Sequence, residues 1–214
     1  MHKTANEIGV KTPEYLHLSD GKRIHYGGNQ IWYKSLWQRK AGCGPTVAAT
    51  VCAYLAKSRP ECASLCEHNS STKEGFLLLM QDLWRYVTPG MGGSSVEIFT
   101  DGITRYARSK GVELVCDVLD IPKQKELRPS AANVLEFFRK AFEADLPIAF
   151  QNYSNGALTN LEAWHWVTLL SFKQDTFFAQ MYDQSIRDFI DIPLYLSTAT
   201  NAGKFVVTRP NLQV

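Results

Sequence analysis

One stretch of the sequence decides the fold: GCGPTVAATVCAYLAK, residues 42–57. Beyond Pro45 nearly all of its residues are small or apolar, and Pro45 stands where the first turn of a helix needs no backbone N–H. The stretch therefore predicts a buried helix that begins at or beside Cys43. A thiol at a helix N-terminus lies in the positive field of the peptide dipoles, which favours the nucleophilic thiolate.

The residues around Cys43 fit attack on a carbonyl group. Gly42 and Gly44 let a substrate approach the backbone closely, and the backbone N–H of Cys43 can donate to the oxyanion that forms. Gln38, five positions upstream, is placed to supply a second donor through its side-chain amide. The alternative is that Cys43 is a small hydrophobic residue in a tight turn.

A candidate base opens the apolar segment AWHWVTLL, residues 163–170. His165 begins this predicted strand at a sheet edge, and an unperturbed imidazole pKa of about 6.5 suits proton exchange with a thiol. The other histidines lie in polar or irregular contexts: His2, His17, His25 and His68. The alternative for His165 is a hydrogen-bonded structural residue.

A candidate partner for the base is Asp183, which stands at the end of the predicted strand that follows the one begun by His165. If the two strands form a hairpin, Asp183 returns beside His165 and can accept a hydrogen bond from its ring. The alternative is an ordinary turn residue, in which case Asn152 or Asn155 is the next candidate. Asp175 is predicted to lie in the hairpin turn.

The predicted elements are segregated along the chain. Helical patterns cover residues 43–57, 76–87, 99–107 and 130–144, and strand patterns cover residues 113–119, 148–152, 165–172, 176–182, 189–192 and 204–208. The N-terminal segment, as far as Lys40, is predicted to be irregular, and residues 89–93 to form a flexible loop. Helices followed by strands predict an α+β fold in which a mostly antiparallel sheet faces a helical layer.

The length, composition and charge of the chain indicate the class of protein to which it belongs. The 214 residues suit a single domain, and 45% hydrophobic with 21% charged residues is typical of a soluble globular protein. A net charge of +2 without a Lys/Arg run gives no support for a nucleic-acid partner. The sequence shows neither a signal peptide nor a bilayer-spanning apolar segment, so we expect a cytoplasmic protein without a membrane partner. The oligomeric state is not predicted.

Five cysteines without a signal peptide argue against a disulfide framework. A metal site built from Cys52, Cys62, Cys66 and His68 is an alternative, but the spacing is irregular for structural zinc. We therefore expect no metal and no cofactor. Several aromatic residues flank the candidate nucleophile and base in sequence, and they either line a substrate cleft or belong to the core: Trp32, Tyr33, Trp37, Trp164 and Trp166.

Together these motifs resemble the papain clan of cysteine peptidases. The matching residues are Gln38, the segment 42–46, the segment 164–167 and Asp183. Within the clan, the chain is most similar to the bacterial double-glycine peptidases, which process bacteriocin leaders, and to their stand-alone relatives. The resemblance covers residues from about 30 to 190. It implies a papain-like fold with a catalytic core of about residues 30–210, in which the central helix bearing Cys43 packs on the sheet.

The resemblance also implies a reaction. Cys43 is then the nucleophile, His165 the general base and acid, Asp183 the residue that orients the histidine, and Gln38 an oxyanion donor. The substrate is a peptide or protein, attacked through an acyl-enzyme that water hydrolyses. The chain departs from the family pattern in that Gln38 lies one residue closer to the cysteine, and Gln184 follows Asp183 where many relatives have proline.

Two alternative functions stay open at this point. One is a catalytically silent papain-like domain that binds a peptide or protein. The other is an acyltransferase or transglutaminase-like enzyme, which uses the same triad but passes the acyl group to an amine. Sequence does not separate hydrolysis from transfer, because cleft shape and water access select the acceptor.

Overall fold

The computed structural model describes residues 6–91 and 93–211. His2 and Gly92, which belong to the sequence predictions above, lie outside the described residues. The helices of the described chain are α1 (Leu36–Ala41), α2 (Cys43–Ser58), α3 (Lys73–Trp84), α4 (Val96–Ser109), α5 (Ala131–Glu143) and α6 (Ile192–Thr198).

Among the described residues, three short strands precede α1, and strands dominate the C-terminal part. They are β1 (Glu7–Gly9), β2 (His17–Ser19), β3 (Ile24–Tyr26), β4 (Leu114–Ile121), β5 (Ile148–Asn152), β6 (His165–Lys173), β7 (Phe178–Asp183), β8 (Ile186–Asp191) and β9 (Gly203–Pro210). The main sheet has the order β4-β9-β5-β6-β7-β8, with β1 also paired to β6, while β2 and β3 form a separate hairpin.

Each strand pair of the main sheet is antiparallel. The α2 helix packs against β6 and α3, and every residue from Cys43 to Leu55 is buried. Such burial on all sides explains why the sequence of this helix lacks a polar face. The predicted α+β fold, with a central helix that begins at Cys43 and packs on an antiparallel sheet, is confirmed.

The segment before α2 is more ordered than predicted. Strand β1 pairs with β6, where Glu7 lies opposite Lys173, and β2 pairs with β3. The prediction of an irregular segment is therefore wrong for these strands and for α1. Strand β1 escapes detection because it is short and its pairing partner, β6, lies in the C-terminal half of the chain.

Two further properties bear on the class of protein. Within residues 6–91 and 93–211, no helix combines the length and apolar character needed to cross a membrane. The buried apolar side chains of this part of the chain form one connected core. That residues 1–214 make up a single domain stays a prediction.

Candidate active site

The α2 helix starts where two glycines allow very close packing. A Cβ atom on Gly42 would lie 2.3 Å from the carbonyl oxygen of Gln38, and one on Gly44 would lie 2.6 Å from Ser94 Oγ. Any larger residue at either position would clash. The helix N-terminus is therefore held tightly, and the thiol of Cys43 lies in its first turn with 7% of the residue exposed.

His165 and Asp183 meet as the hairpin prediction requires. His165 is the first residue of β6, Asp183 is the last residue of β7, and these antiparallel strands are paired. The Nε2 atom of His165 lies 2.8 Å from Asp183 Oδ1, within hydrogen-bond distance. Cys43 also lies close enough to the His165 ring to influence its pKa, and both residues line one narrow cavity. Since Nε2 is occupied by the carboxylate, Nδ1 is the ring nitrogen left for the thiol.

The environment of His165 favours its protonated form. Burial of the ring lowers its pKa, but the hydrogen bond with Asp183 and the charge of that carboxylate, together with the neighbouring Cys43, act in the opposite direction and raise the pKa to about 10. A shift in this direction favours the imidazolium form at neutral pH. A cationic imidazole beside a cysteine is the arrangement that activates thiols for nucleophilic attack.

The turn after Asp183 explains one departure from the family pattern. Gln184 and Ser185 form the two-residue connection between β7 and β8, and both have positive φ values, 48° and 62°. Two positive values are typical of a type I′ hairpin turn. The pyrrolidine ring of proline restricts φ to about −65°, so proline cannot occupy position 184 in this turn.

This turn is anchored to residues 28 and 29, which belong to the N-terminal segment predicted to be irregular. The side chain of Asn29 donates to the Gln184 carbonyl oxygen at 2.7 Å, and the backbone N–H of Ser185 donates to the Gly28 carbonyl oxygen at 3.0 Å. The carboxylate of Asp183 is thereby supported from outside its own hairpin. The signal that could have drawn attention to this segment is Gly27-Gly28-Asn29.

A narrow cavity connects the candidate residues. Its volume is about 20 Å³, and Cys43, His165, Asp183 and Gln30 are among its lining residues. A space of this size holds about one water molecule. Gln30 is a residue that the sequence analysis missed; its Nε2 donates to the Arg39 carbonyl oxygen at 2.9 Å, which leaves the second amide hydrogen for another acceptor.

Gln38 is placed differently. It lies on α1, outside the lining of this cavity, and its Nε2 donates to Gln81 Oε1 at 3.1 Å. Cys43, His165 and Asp183 are thus brought together, whereas Gln38 is directed toward α3. Its role as an oxyanion donor stays a prediction, as do the catalytic roles of the other three residues.

The other sulfur atoms show no metal-binding arrangement. No group of three or more His, Cys, Asp or Glu side chains within the described residues is arranged to hold a metal ion. Instead, the Cys66 thiol donates to the His68 carbonyl oxygen, and the His68 ring lies 2.8 Å from Asp82. Burial raises the pKa of the Cys52 thiol, as expected for a cysteine in an apolar core.

The aromatic residues that flank the candidate nucleophile and base in sequence differ in burial, and Trp32 is half-buried. Tyr33 and Trp166 are core residues, and Trp166 stacks on Phe99 with ring centroids 4.3 Å apart. Trp37 and Trp164 are exposed. Neither a position in a substrate cleft nor a position in the hydrophobic core therefore holds for all of these aromatic residues.

A second, wider cavity adjoins the first. It has a volume of about 280 Å³ and shares Asp183 and Gln184 with the narrow one. Glu162 and Asp188 also line it, together with the apolar side chain of Met181. None of the described residues that line it is a lysine, arginine or histidine, so its electrostatic potential is negative.

Comparisons with known proteins give matches among solved structures. No family model matches the chain, and no curated protein matches it. Among solved structures, the chain is similar to a double glycine motif protease from an AMS/PCAT transporter, determined in complex with the leader peptide. The two share 15% identity over 90% of this chain and 98% of that one, with a TM-score of 0.42. A similarity at this level assigns neither a family nor an activity.

Proposed function

We propose that this protein is a cysteine hydrolase that cleaves a peptide or amide bond. The observation that supports the proposal most directly is the position of the His165 ring, which lies within hydrogen-bond distance of Asp183 and lines one narrow cavity with the thiol at the start of α2. A thiol, an imidazole and a carboxylate in series are the parts of a cysteine-type catalytic triad.

The reaction would begin with the Cys43 thiolate paired with the His165 imidazolium. The sulfur adds to the carbonyl carbon of the substrate, and the carbonyl oxygen becomes an oxyanion. The backbone N–H of Cys43, which has no acceptor within the helix because it lies in the first turn, donates to this oxygen. The side-chain amide of Gln30 or of Gln38 supplies the second hydrogen bond.

His165 then gives its proton to the leaving amine, the C–N bond breaks, and a thioester remains on Cys43. In the second half, neutral His165 takes a proton from a water molecule, and the resulting hydroxide attacks the thioester. The products are a carboxylic acid and the thiolate–imidazolium pair. Asp183 holds the ring in one orientation throughout and stabilises its positive charge.

The test is the rate at which iodoacetamide alkylates each cysteine, assigned by mass spectrometry across a pH series. Cys66 is more exposed than Cys43, so an unactivated Cys43 should react more slowly than Cys66. We expect Cys43 to react fastest, below the pH of about 8.5 at which an ordinary thiol ionises, and His165→Ala to slow it by at least about tenfold.

The opposite result would support the binding-domain alternative. If Cys43 reacts as slowly as the buried Cys52 in both wild type and His165→Ala, its thiol is not activated, and the proposal of a hydrolase fails. Thermal unfolding of His165→Ala serves as the control that the variant is folded.

Acyl transfer to an amine is a second candidate, favoured by the acidic cavity beside Asp183. A cationic amine would be concentrated there by the carboxylates of Glu162 and Asp188. With p-nitrophenyl acetate as acyl donor and 1,4-diaminobutane as acceptor, a transferase forms the acetylated amine in preference to acetate. Glu162→Gln with Asp188→Asn should then shift the products back toward acetate; a hydrolase forms acetate throughout.

A further inference from the structure

Trp164, the residue immediately before the candidate base, has an unfavourable backbone conformation. Its φ value is +59°, in the left-handed region. A bulky residue rarely adopts this conformation, since its Cβ approaches the following carbonyl oxygen. Glycine would make the same bend into β6 without strain. The presence of tryptophan at this bend therefore needs a reason.

The other described non-glycine residues with positive φ have such a reason. Asp145, Gln184 and Ser185 are small or polar residues in turns, and the Asp145 carboxylate accepts hydrogen bonds from Tyr54 and from a backbone N–H. Phe177 is buried, so its ring gains apolar contacts. In these cases turn chemistry or burial offsets the strain.

Trp164 gains no comparable contacts. It is 62% exposed, and its indole N–H has no hydrogen-bond partner among the described residues. Its ring packs edge-on against one aromatic ring, that of Tyr153, with centroids 4.8 Å apart. A strained backbone disfavours the folded state, the exposed ring gains little from burial to offset it, and strain of this kind concentrates at functional sites.

The position of the ring relates it to the candidate nucleophile. The hydroxyl of Tyr153 accepts a hydrogen bond from Gln151 Nε2, which also donates to the Ser94 carbonyl oxygen. Ser94 in turn packs directly on Gly44, the residue after Cys43. Tyr153 is thus connected to the start of α2, while Trp164 is joined covalently to His165.

We propose that Trp164 determines specificity: its exposed ring, together with Tyr153, forms an aromatic subsite that binds an apolar side chain of the substrate. The inference rests on the proposed function, since it places the subsite beside Cys43 and His165. An apolar side chain fits because the surface is aromatic, and because covering the ring would remove it from water.

The inference can be tested with peptide chloromethyl ketones, in which the thiolate displaces chloride to form a thioether. The acetyl-Leu-Gly, acetyl-Gly-Gly and acetyl-Lys-Gly reagents differ in one side chain. We expect Cys43 to react roughly tenfold faster with the leucine than with the glycine reagent. This ratio should fall toward one in Trp164→Gly and Trp164→Asn, which tolerate positive φ but lack the ring, and should persist in Trp164→Phe.

A control variant removes an exposed aromatic ring elsewhere. Phe178 lies at the opposite end of β7 from Asp183 and is 38% exposed, so Phe178→Ala should keep the wild-type ratio. An unchanged ratio in Trp164→Gly would overturn the inference, as would a preference for the lysine reagent. A lower unfolding temperature for Trp164→Gly would also overturn it, since the ring would then be structural.

A second readout does not depend on the thiol. In ¹⁵N NMR spectra of Cys43→Ala, the indole N–H signal assigned to Trp164 should shift on addition of acetyl-Leu-Gly-amide, and less with acetyl-Gly-Gly-amide. A shift combined with an unreactive Cys43 in the wild type would mean that the subsite exists but the hydrolase proposal is wrong. An activated Cys43 combined with no shift would mean that the hydrolase proposal stands but the aromatic subsite does not exist.

Discussion

The two ends of the β6–β7 hairpin each carry an aromatic residue with a left-handed backbone, but in opposite environments. At the closed end, the Phe177 ring is buried against Phe138 and Phe172, with centroids 5.2 and 5.4 Å apart. At the open end, Trp164 is exposed, and the neighbouring polar pair consists of buried His165 and half-buried Asp183.

This difference between the two ends distinguishes residues that stabilise the folded state from residues that destabilise it. At the closed end, burial of an aromatic ring offsets the backbone strain. At the open end, a charged pair is partly removed from water, and the cost of desolvation offsets much of the attraction within such a pair. Unfavourable features that are retained in a folded protein are typical of functional sites. The following predictions test this contrast, beginning with the largest expected effect.

Buried residues at the closed end of the hairpin should contribute most to the free energy of unfolding. Phe177→Ala should lower the free energy of unfolding by about 3–5 kcal/mol, because a buried ring is lost while the strained backbone stays. Phe178→Ala, at the next and more exposed position, should cost less than about 1 kcal/mol. Urea unfolding followed by circular dichroism measures both. Equal losses would contradict the assignment of Phe177 to the core.

At the open end, the two glutamines should differ in importance for catalysis. Gln30 lines the cavity with Cys43, whereas the amide of Gln38 is bound to Gln81. Gln30→Ala should slow the burst of p-nitrophenol from p-nitrophenyl acetate by roughly 100-fold, the usual effect of losing an oxyanion donor. Gln38→Ala should have a smaller effect. The reverse order would support the donor predicted from sequence.

The hairpin also offers a matched pair of aspartates. Asp183 contacts the ring of His165 at the open end, and Asp175 lies in the closed turn. Asp183→Ala should lower the iodoacetamide reactivity of Cys43 by at least about tenfold, since the imidazolium loses its partner. Asp175→Ala should change it less than about twofold. Similar rates for both variants would leave the third catalytic residue unidentified.

The His165 ring at the open end should make the free energy of unfolding depend on pH. Folding raises the pKa of His165 from 6.5 to about 10, so the folded state binds this proton more tightly than the unfolded state. The resulting stabilisation is complete below about pH 6.5 and is lost as the pH rises through 10. Wild type should therefore lose more unfolding free energy between these values than His165→Gln. Parallel curves for the two proteins would contradict the raised pKa.

The smallest expected change in stability is at Trp164. Trp164→Gly should leave the free energy of unfolding unchanged or raise it by up to about 1 kcal/mol, because glycine adopts positive φ without strain. The same urea titration measures it, with Phe177→Ala as the contrasting variant. A loss comparable to that of Phe177→Ala would show that the two ends of the hairpin do not differ.

The parts of the fold that sequence predicted are those with a strong local pattern. The buried helix from Cys43 and the β6–β7 hairpin follow from apolar runs and turn residues, and they are sufficient to bring Asp183 to His165. The short elements near the N-terminus were missed because their patterns are weak and because the pairing partner of β1 is distant in the chain. Gln30 was missed because no local pattern relates it to Cys43, and Gln38 was chosen because it is nearer to Cys43 in sequence.

By itself, the sequence determined the helix that begins at Cys43, the strand that begins at His165 and the α+β class, since these depend on local periodicity and composition. Only the tertiary structure decided which glutamine lines the cavity that contains Cys43, why proline is excluded after Asp183, and which tryptophans are exposed. These features depend on contacts between segments that are far apart in the chain. Side-chain direction, turn geometry and burial are properties of packing, and no local pattern encodes them.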